Sequence, residues 1–206
     1  QHSDRNVTIE PFAMGQYEVT FEEYDRYVEL TGSKRPEDRE WGRGRRPVIN
    51  VSWDDARAYA TWLSQATGKR YRLPTETEWE YAARSGGKVE VWAGTSDEAQ
   101  LKDYAVFKAD RTEPVGSKKA NGLGLYDMSG NVWEWVEDCW HENYTGAPAD
   151  GSARLEANGG TCGRRVVRGG SWGYLPGTLR VSTRLWTYPD DRDYNIGFRL
   201  AQDLEP

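Results

Sequence analysis

Ligands for transition metals are scarce in this chain of 206 residues, which contains two cysteines and two histidines. Cys139 and Cys162 are separated by 22 residues, a spacing that matches no zinc motif, and His2 and His141 cannot complete one. We therefore expect the cysteines to form a structural disulfide or to be buried thiols, rather than to carry reactive chemistry.

The chain also lacks an excess of positive charge and long apolar runs. The chain has 27 Lys and Arg residues against 33 Asp and Glu residues, for a net charge of −6. Nucleic acids and anionic membranes attract clustered Lys and Arg, so neither is an expected partner. No apolar run approaches the roughly 18–20 residues of a membrane-spanning helix, so no membrane span is expected.

Glycine and large aromatic residues are abundant instead, with 22 Gly, 10 Trp and 12 Tyr. Each aromatic side chain buries a large area and can supply the core of a polar chain. The many glycines favour a loop-rich fold with positive φ angles. No internal repeat or linker interrupts the chain, which predicts a single domain over 1–206.

Three capping boxes predict three helices. The first, at 20–23, starts a helix that runs to about residue 30 and is ended by Gly32. The second, at 52–55, starts an amphipathic helix that is ended by Gly68. The third begins at Thr75 and predicts a shorter helix that ends near Gly86. Strands are predicted on both sides of a turn at Met14–Gly15, and at 132–136, 165–168 and 196–201.

Four segments carry a family resemblance. Residues 47–84 (PVINVSWDD…EYAAR), 121–140 (NGLGLYDMSGNVWEWVEDCW), 165–172 (RVVRGGSW) and 195–201 (NIGFRLA) together resemble the formylglycine-generating enzyme, or sulfatase-modifying factor, superfamily. The resemblance implies an α+β class and a variant C-type lectin fold. Such a fold has small twisted antiparallel sheets, two main helices and many ordered loops, but it does not by itself imply catalysis.

The oxidase activity of that superfamily depends on a pair of copper-binding cysteines shortly after the RGGS motif. Thiolates are ligands that Cu(I) prefers. The segment after Ser171 contains no cysteine, and Tyr174 and Leu179 are the nearest counterparts. The related sulfoxide synthases need three histidines for iron, and this chain has two. We therefore expect neither enzyme activity nor copper.

The segment LYDMSGNVWEW retains residues that bind one structural calcium ion in the superfamily. The resemblance assigns side-chain oxygens to Asp127 and Glu134 and backbone carbonyls to Gly130 and Val132. A hard cation that takes six to eight oxygen ligands suits such a loop. In the alternative reading, Asp127 caps a turn and Glu134 pairs with an arginine, without a metal.

One branch of the superfamily does not catalyse: the variable proteins of diversity-generating retroelements, which are bacterial or phage-encoded. Their C-terminal segment is rewritten at adenines, and the resulting codons do not encode Lys, Glu, Gln, Met or Trp. Residues 173–198 contain none of the first four types, and Trp186 is their only tryptophan. We therefore predict a variable tract at 173–195. Its candidate ligand-binding residues are Gly173, Tyr174, Leu175, Gly177, Thr178, Thr183, Leu185, Thr187, Tyr188, Asp191, Asp193 and Tyr194.

The leading functional prediction is a non-enzymatic, monomeric protein that binds a protein or another macromolecule through this tract. The three tyrosines of the tract are then expected to be exposed on one face. The alternatives are a catalytically silent module with a structural or regulatory role, and an enzyme with an unrecognised site. We interpret Trp53, Trp62, Trp79, Trp133 and Trp135 as core rather than as a sugar-binding platform. We interpret Arg168, Arg180, Arg184 and Arg199 as partners of carboxylates.

Overall fold

The computed structural model describes residues 7–204, so His2 lies outside the described residues. Within that range the helices are α1 (Phe21–Thr31), α2 (Trp53–Thr67), α3 (Glu76–Ala83) and α4 (Leu101–Tyr104). The strands are β1 (Phe12–Met14), β2 (Arg70–Arg72), β3 (Trp133–Trp140), β4 (Thr161–Arg168), β5 (Arg184–Thr187), β6 (Ile196–Gly197) and β7 (Ala201–Asp203). No helix among them is long and apolar enough to cross a membrane.

The capping boxes form as predicted. The side chain of Thr20 accepts the amide of Glu23, whose carboxylate in turn accepts the amide of Thr20. The same reciprocal pair starts α2 and α3, and left-handed glycines end α1 and α2. Helix α3 ends at Ala83, earlier than predicted, because Ser85 already adopts a positive φ of 56°.

The seven described strands form two small sheets, one of three strands and one of four. The order β1-β7-β2 is antiparallel throughout, whereas β5-β4-β3-β6 contains one parallel pair, β3 with β6. The small sheets are antiparallel as predicted, except at that pair. The reason is that β5 already runs in the direction of β3, and residues 188–195 carry the chain across the sheet without reversing it.

The predicted strand at 196–201 is divided between the two sheets, as β6 and β7. The strand expected after the Met14–Gly15 turn does not form, and β2 and β5 were not predicted. Strand β5 lies inside the variable tract and pairs with β4, with Leu185 opposite Val167. Part of the tract is therefore regular structure.

Tryptophans fill the core as predicted. Trp53, Trp79, Trp133 and Trp135 are buried, whereas Trp62 is half-buried at the edge of the largest apolar cluster. Their indole groups also join elements, since Trp135 Nε1 donates to the carbonyl of Val51, 3.1 Å away. The core interpretation holds for four of these residues and partly for the fifth.

Arg168, at the end of β4, is fully buried and connects three parts of the chain. Its guanidinium bonds Glu76 and Glu80 of α3, at 2.9 and 2.5 Å. The same group donates to the carbonyls of Val181 and Thr183, at 2.6 and 2.9 Å. It thereby fixes the middle of the variable tract, at Val181 and Thr183, against α3.

The other three arginines divide into two kinds. Arg184 pairs with Glu76 at 2.6 Å, and Arg199 pairs with Glu134 at 2.7 Å, as expected. Arg180 is exposed and forms no ion pair with any described residue, so the prediction is wrong for that position. Its side chain points to solvent, where a carboxylate partner is not needed.

Cys139 and Cys162 form a disulfide between β3 and β4, with their Cα atoms 4.5 Å apart. Of the two possibilities left open by the sequence, the structure selects the disulfide. The bond closes a chain segment with a sequence separation of 23.

Replacing both cysteines with alanine is expected to lower the free energy of unfolding by about 3 kcal/mol, because the unfolded chain gains loop entropy. Urea denaturation measures the loss. Reduction of the native protein should produce a similar loss and should not affect the double variant. A native protein insensitive to reductant would contradict the assignment.

Replacing Arg168 with glutamine is expected to cost about 3–5 kcal/mol of unfolding free energy, because it leaves Glu80 without one of its buried cationic partners and two carbonyls without donors. The control is Arg180→Gln, which is exposed and should change the value by less than about 0.5 kcal/mol. Equal effects in urea denaturation would refute the connecting role of Arg168.

Candidate functional site

Buried contacts fix the backbone of the variable tract. Leu179 is fully buried, and its carbonyl accepts the hydroxyl of Ser129 at 2.8 Å. The carbonyl of Pro176 accepts Trp92 Nε1, also at 2.8 Å. Together with Arg168, these bonds hold the short 3-10 turn at 176–179 in one place.

Between these fixed points the tract exposes large apolar side chains. The exposed fractions are 63% for Leu175, 42% for Leu185, 51% for Tyr188 and 42% for Tyr194. Gly173 and Gly177 are also exposed. The structure therefore places these predicted ligand-binding residues at the surface.

Tyr174 departs from the expectation of exposure. It is half-buried, and its ring packs edge-to-face on Trp133 with the centroids 5.5 Å apart. Its carbonyl accepts the amide of Lys108 at 3.2 Å. The prediction is wrong for this tyrosine because its ring is part of the packing beneath the tract.

The polar candidates of the tract are half-buried and partly used in local turns. They are Thr178, Thr183, Thr187, Asp191 and Asp193. The carboxylate of Asp191 accepts the Thr187 hydroxyl and the Tyr188 amide, which stabilises the turn after β5. The Asp191 side chain thus has a structural role within the tract.

Sequence reasoning missed a group of residues beside Tyr194, which we term the Arg39 patch: Arg39, Trp41, Trp172 and Tyr194. The Arg39 guanidinium lies over the Tyr194 ring, 4.0 Å from its centroid. The Trp41 ring packs edge-to-face on Trp172 at 5.3 Å. Arg39 and its neighbour Glu40 both have positive φ angles, 55° and 62°, which shape this turn. The signal in the sequence that could have indicated this patch is Trp41, a large aromatic residue within the charged segment 33–46.

The second predicted site consists of residues 127–132, which we term the Asp127 loop, and of Glu134 in the following strand β3. Glu134 is fully buried, and both of its carboxylate oxygens are occupied. Oε1 accepts Arg199 Nε at 2.7 Å and Trp79 Nε1 at 3.0 Å, and Oε2 accepts Arg199 Nη2 at 3.0 Å. The arginine pairing of the alternative reading is therefore present.

Asp127 is only partly satisfied. Its Oδ2 accepts the amide of Gly116 at 2.9 Å, whereas its buried Oδ1 meets no hydrogen-bond partner within residues 7–204. Burial raises the pKa of Asp127 to about 6. Gly130 and Asn131 donate their amides to the carbonyls of Gly169 and Val106, which fixes the backbone beside Asp127.

Glu18 is a third buried carboxylate beside this loop, which sequence reasoning did not single out. Its Oε1 accepts Asn131 Nδ2 at 3.0 Å, and its Oε2 is buried without a partner in the described chain. Burial, with the nearby carboxylates of Glu134 and Asp127, raises the pKa of Glu18 well above its usual range.

The buried carboxylates beside the loop outnumber the positive charges near them, which suits a hard cation. Three buried carboxylates face one buried guanidinium, that of Arg199, and two of their oxygens lack donors. Calcium binds carboxylate and carbonyl oxygens, which is what this loop contains. Over residues 7–204, no group of three or more His, Cys, Asp or Glu side chains is arranged to hold a metal ion, so backbone carbonyls would have to contribute.

Comparison with known proteins places this geometry in a family. A family model described as sulfatase-modifying factor enzyme 1-like domain matches residues 1–204. The formylglycine-generating enzyme of Streptomyces coelicolor is 36% identical over 80% of the chain. The serine/threonine-protein kinase Pkn1 of Chlamydia trachomatis is 34% identical over 97%, and the inactive Cα-formylglycine-generating enzyme 2 of Bos taurus is 38% identical over 75%. The chain spans 55%, 34% and 50% of the length of these proteins, respectively.

Solved structures agree with the predicted fold. PvdO from Pseudomonas aeruginosa has a TM-score of 0.88 and 39% identity, covering 96% of this chain and 83% of its own. Treponema denticola variable protein 1 has a TM-score of 0.78 and 30% identity, covering 98% and 90%. The variant C-type lectin fold of class α+β is thereby confirmed, and the neighbours include variable proteins of diversity-generating retroelements. The chain belongs to the family of sulfatase-modifying factor enzyme 1-like domains.

Proposed function

We propose that this chain is a non-enzymatic recognition protein of a diversity-generating retroelement, which binds a protein or another macromolecule through the surface of residues 173–195. The observation that carries the proposal is the contrast within the tract. Leu175, Leu185, Tyr188 and Tyr194 are exposed, while the backbone that bears them is held by buried residues such as Leu179.

This contrast suits a surface that varies. Side chains can change without unfolding the protein when other residues fix the backbone beneath them. Tyrosine contributes a large contact area at low entropic cost, as in antibody binding sites. Through Tyr194 the Arg39 patch joins the tract, so Arg39, Trp41 and Trp172, which lie outside 173–195, would contribute to the same surface.

The residues at the oxidase positions support a role without catalysis. Leu179 is buried among apolar residues, and Tyr174 packs on Trp133, so neither offers a copper ligand. The two cysteines are joined to each other. One relative in the same family is named an inactive enzyme, so this fold also occurs without the catalytic activity.

We also propose a structural calcium ion at the Asp127 loop. The unpartnered, buried oxygens of Asp127 and Glu18 support it, because unpaired buried carboxylates are costly. When bound, the ion would neutralise these charges and hold the loop that precedes β3.

Replacing all four exposed apolar residues (Leu175, Leu185, Tyr188 and Tyr194) with serine is expected to change unfolding free energy by no more than about 0.5 kcal/mol per site. The control is Leu179→Ala, a buried position, which should cost about 2–5 kcal/mol. Thermal or urea unfolding measures both. A collapse of the fold in the quadruple variant would show that the tract is ordinary core.

A displayed library randomised only at the exposed candidate positions tests recognition directly; these are Gly173, Leu175, Gly177, Leu185, Tyr188 and Tyr194. Selection against hen lysozyme and streptavidin as probes is expected to yield binders, because the fixed backbone presents the varied side chains. The matched control randomises an equal number of exposed positions on α1 and α2. Binders that arise equally often from the control would contradict a specialised surface.

The retroelement assignment has its own test in the gene. Sequencing the locus is expected to reveal a second copy of the segment that encodes 173–195, differing at adenines, near a reverse transcriptase gene. A locus with neither feature would support the silent structural or regulatory module instead. Oxygen uptake with a cysteine-containing peptide would overturn the non-enzymatic role.

A further inference from the structure

The hydrogen bonds of Arg199 determine which carboxylates beside the Asp127 loop are satisfied. Its Nε and Nη2 bind Glu134, at 2.7 and 3.0 Å. Its remaining contacts go to backbone carbonyls: Nη1 donates to Gly15 and Gln16, and Nη2 also donates to Tyr126. The guanidinium therefore makes no hydrogen bond to Glu18 or Asp127.

Glu134 has correspondingly little left to offer a metal ion. Its two oxygens already accept three hydrogen bonds, two from Arg199 and one from the Trp79 indole. All three groups are fully buried, so this arrangement is closed to solvent. A cation bound by Glu134 would have to share these oxygens with a positive charge.

Unlike Glu134, Glu18 and Asp127 have carboxylate oxygens that remain available to a metal ion. Each is buried, and each has one oxygen oriented by a donor and one oxygen that no donor group of the described chain reaches, although the carboxyl group of Glu18 also lies within hydrogen-bond distance of Glu134. Asn131 orients Glu18 through its amide nitrogen, and the backbone of Glu113 in turn positions that amide, with Glu113 N donating to Asn131 Oδ1 at 3.1 Å. The free oxygens are thus held in place rather than left mobile.

We propose that Glu18 and Asp127 are the carboxylate ligands of the structural cation, and that Glu134 is the counter-ion of Arg199 rather than a ligand. Carbonyl oxygens of the loop at 130–132 would complete an all-oxygen set suited to calcium. The charges then balance, since Arg199 neutralises Glu134 and a divalent ion neutralises the other two. This inference rests on the calcium ion proposed above and is independent of recognition by the tract.

The test uses the full chain and calcium chloride alone as the probe. Glu18→Gln, Asp127→Asn and Glu134→Gln are compared with the native protein and with Glu29→Gln, a control on the exposed side of α1. Calorimetry gives the calcium Kd, and thermal unfolding in EDTA and in calcium gives the calcium-dependent shift of Tm. Glutamine at 18 keeps an oxygen to accept the Asn131 amide, so the variant removes the charge and little else.

We expect Glu18→Gln and Asp127→Asn to weaken calcium binding by at least about tenfold and to remove most of the Tm shift, because ligand charge sets affinity. Neither should lower Tm in EDTA, since each removes an unpaired buried charge. Glu134→Gln should lower Tm equally in EDTA and in calcium, because Arg199 loses its partner, while the shift persists.

Two outcomes overturn the inference separately. If Glu18→Gln keeps the native calcium Kd while Glu134→Gln loses it, Glu134 is the ligand and the assignment of Glu18 is wrong. If the native protein shows no calcium-dependent shift, the ion itself is absent and the calcium proposal fails with it. Neither result bears on the displayed-library test of the tract.

Discussion

The buried guanidinium of Arg168 is the constraint on which the backbone of the proposed binding tract depends. A charge removed from water needs partners on every side, and Arg168 finds them in two carboxylates of α3 and two carbonyls of the tract. These bonds leave the tract backbone little freedom between Val181 and Thr183. The side chains beyond them can then point outward without disturbing the core.

A second buried guanidinium, that of Arg199, lies just beyond the end of the tract and connects other parts of the fold. It joins Glu134 of β3 to carbonyls near the N-terminal strand and near Tyr126. The RGGS and GFR motifs of the family therefore contain two of the largest fully buried polar side chains in the described fold. Both motif arginines have this electrostatic role, and within the tract between them Arg184 shares it by pairing with Glu76.

Local chemistry made the helices predictable from sequence. The capping boxes at Thr20, Ser52 and Thr75 involve residues three apart, so their effect needs no distant contact. Strand β5 and the parallel pair of β3 with β6 depend on how residues 188–195 cross the sheet, which no local pattern specifies. The Arg39 patch was missed for the same reason, since Arg39 and Tyr194 are far apart along the chain.

The sequence by itself determined the family, the fold, the first two helices and the absence of a copper-binding cysteine pair, because each is written in contiguous motifs. Only the tertiary structure decided that Cys139 and Cys162 are joined and that Tyr174 packs on Trp133. It alone also showed that Glu134 is engaged by Arg199 while Glu18 is not. Such facts depend on which distant side chains compete for the same buried partner, and that competition is settled only when the chain has folded.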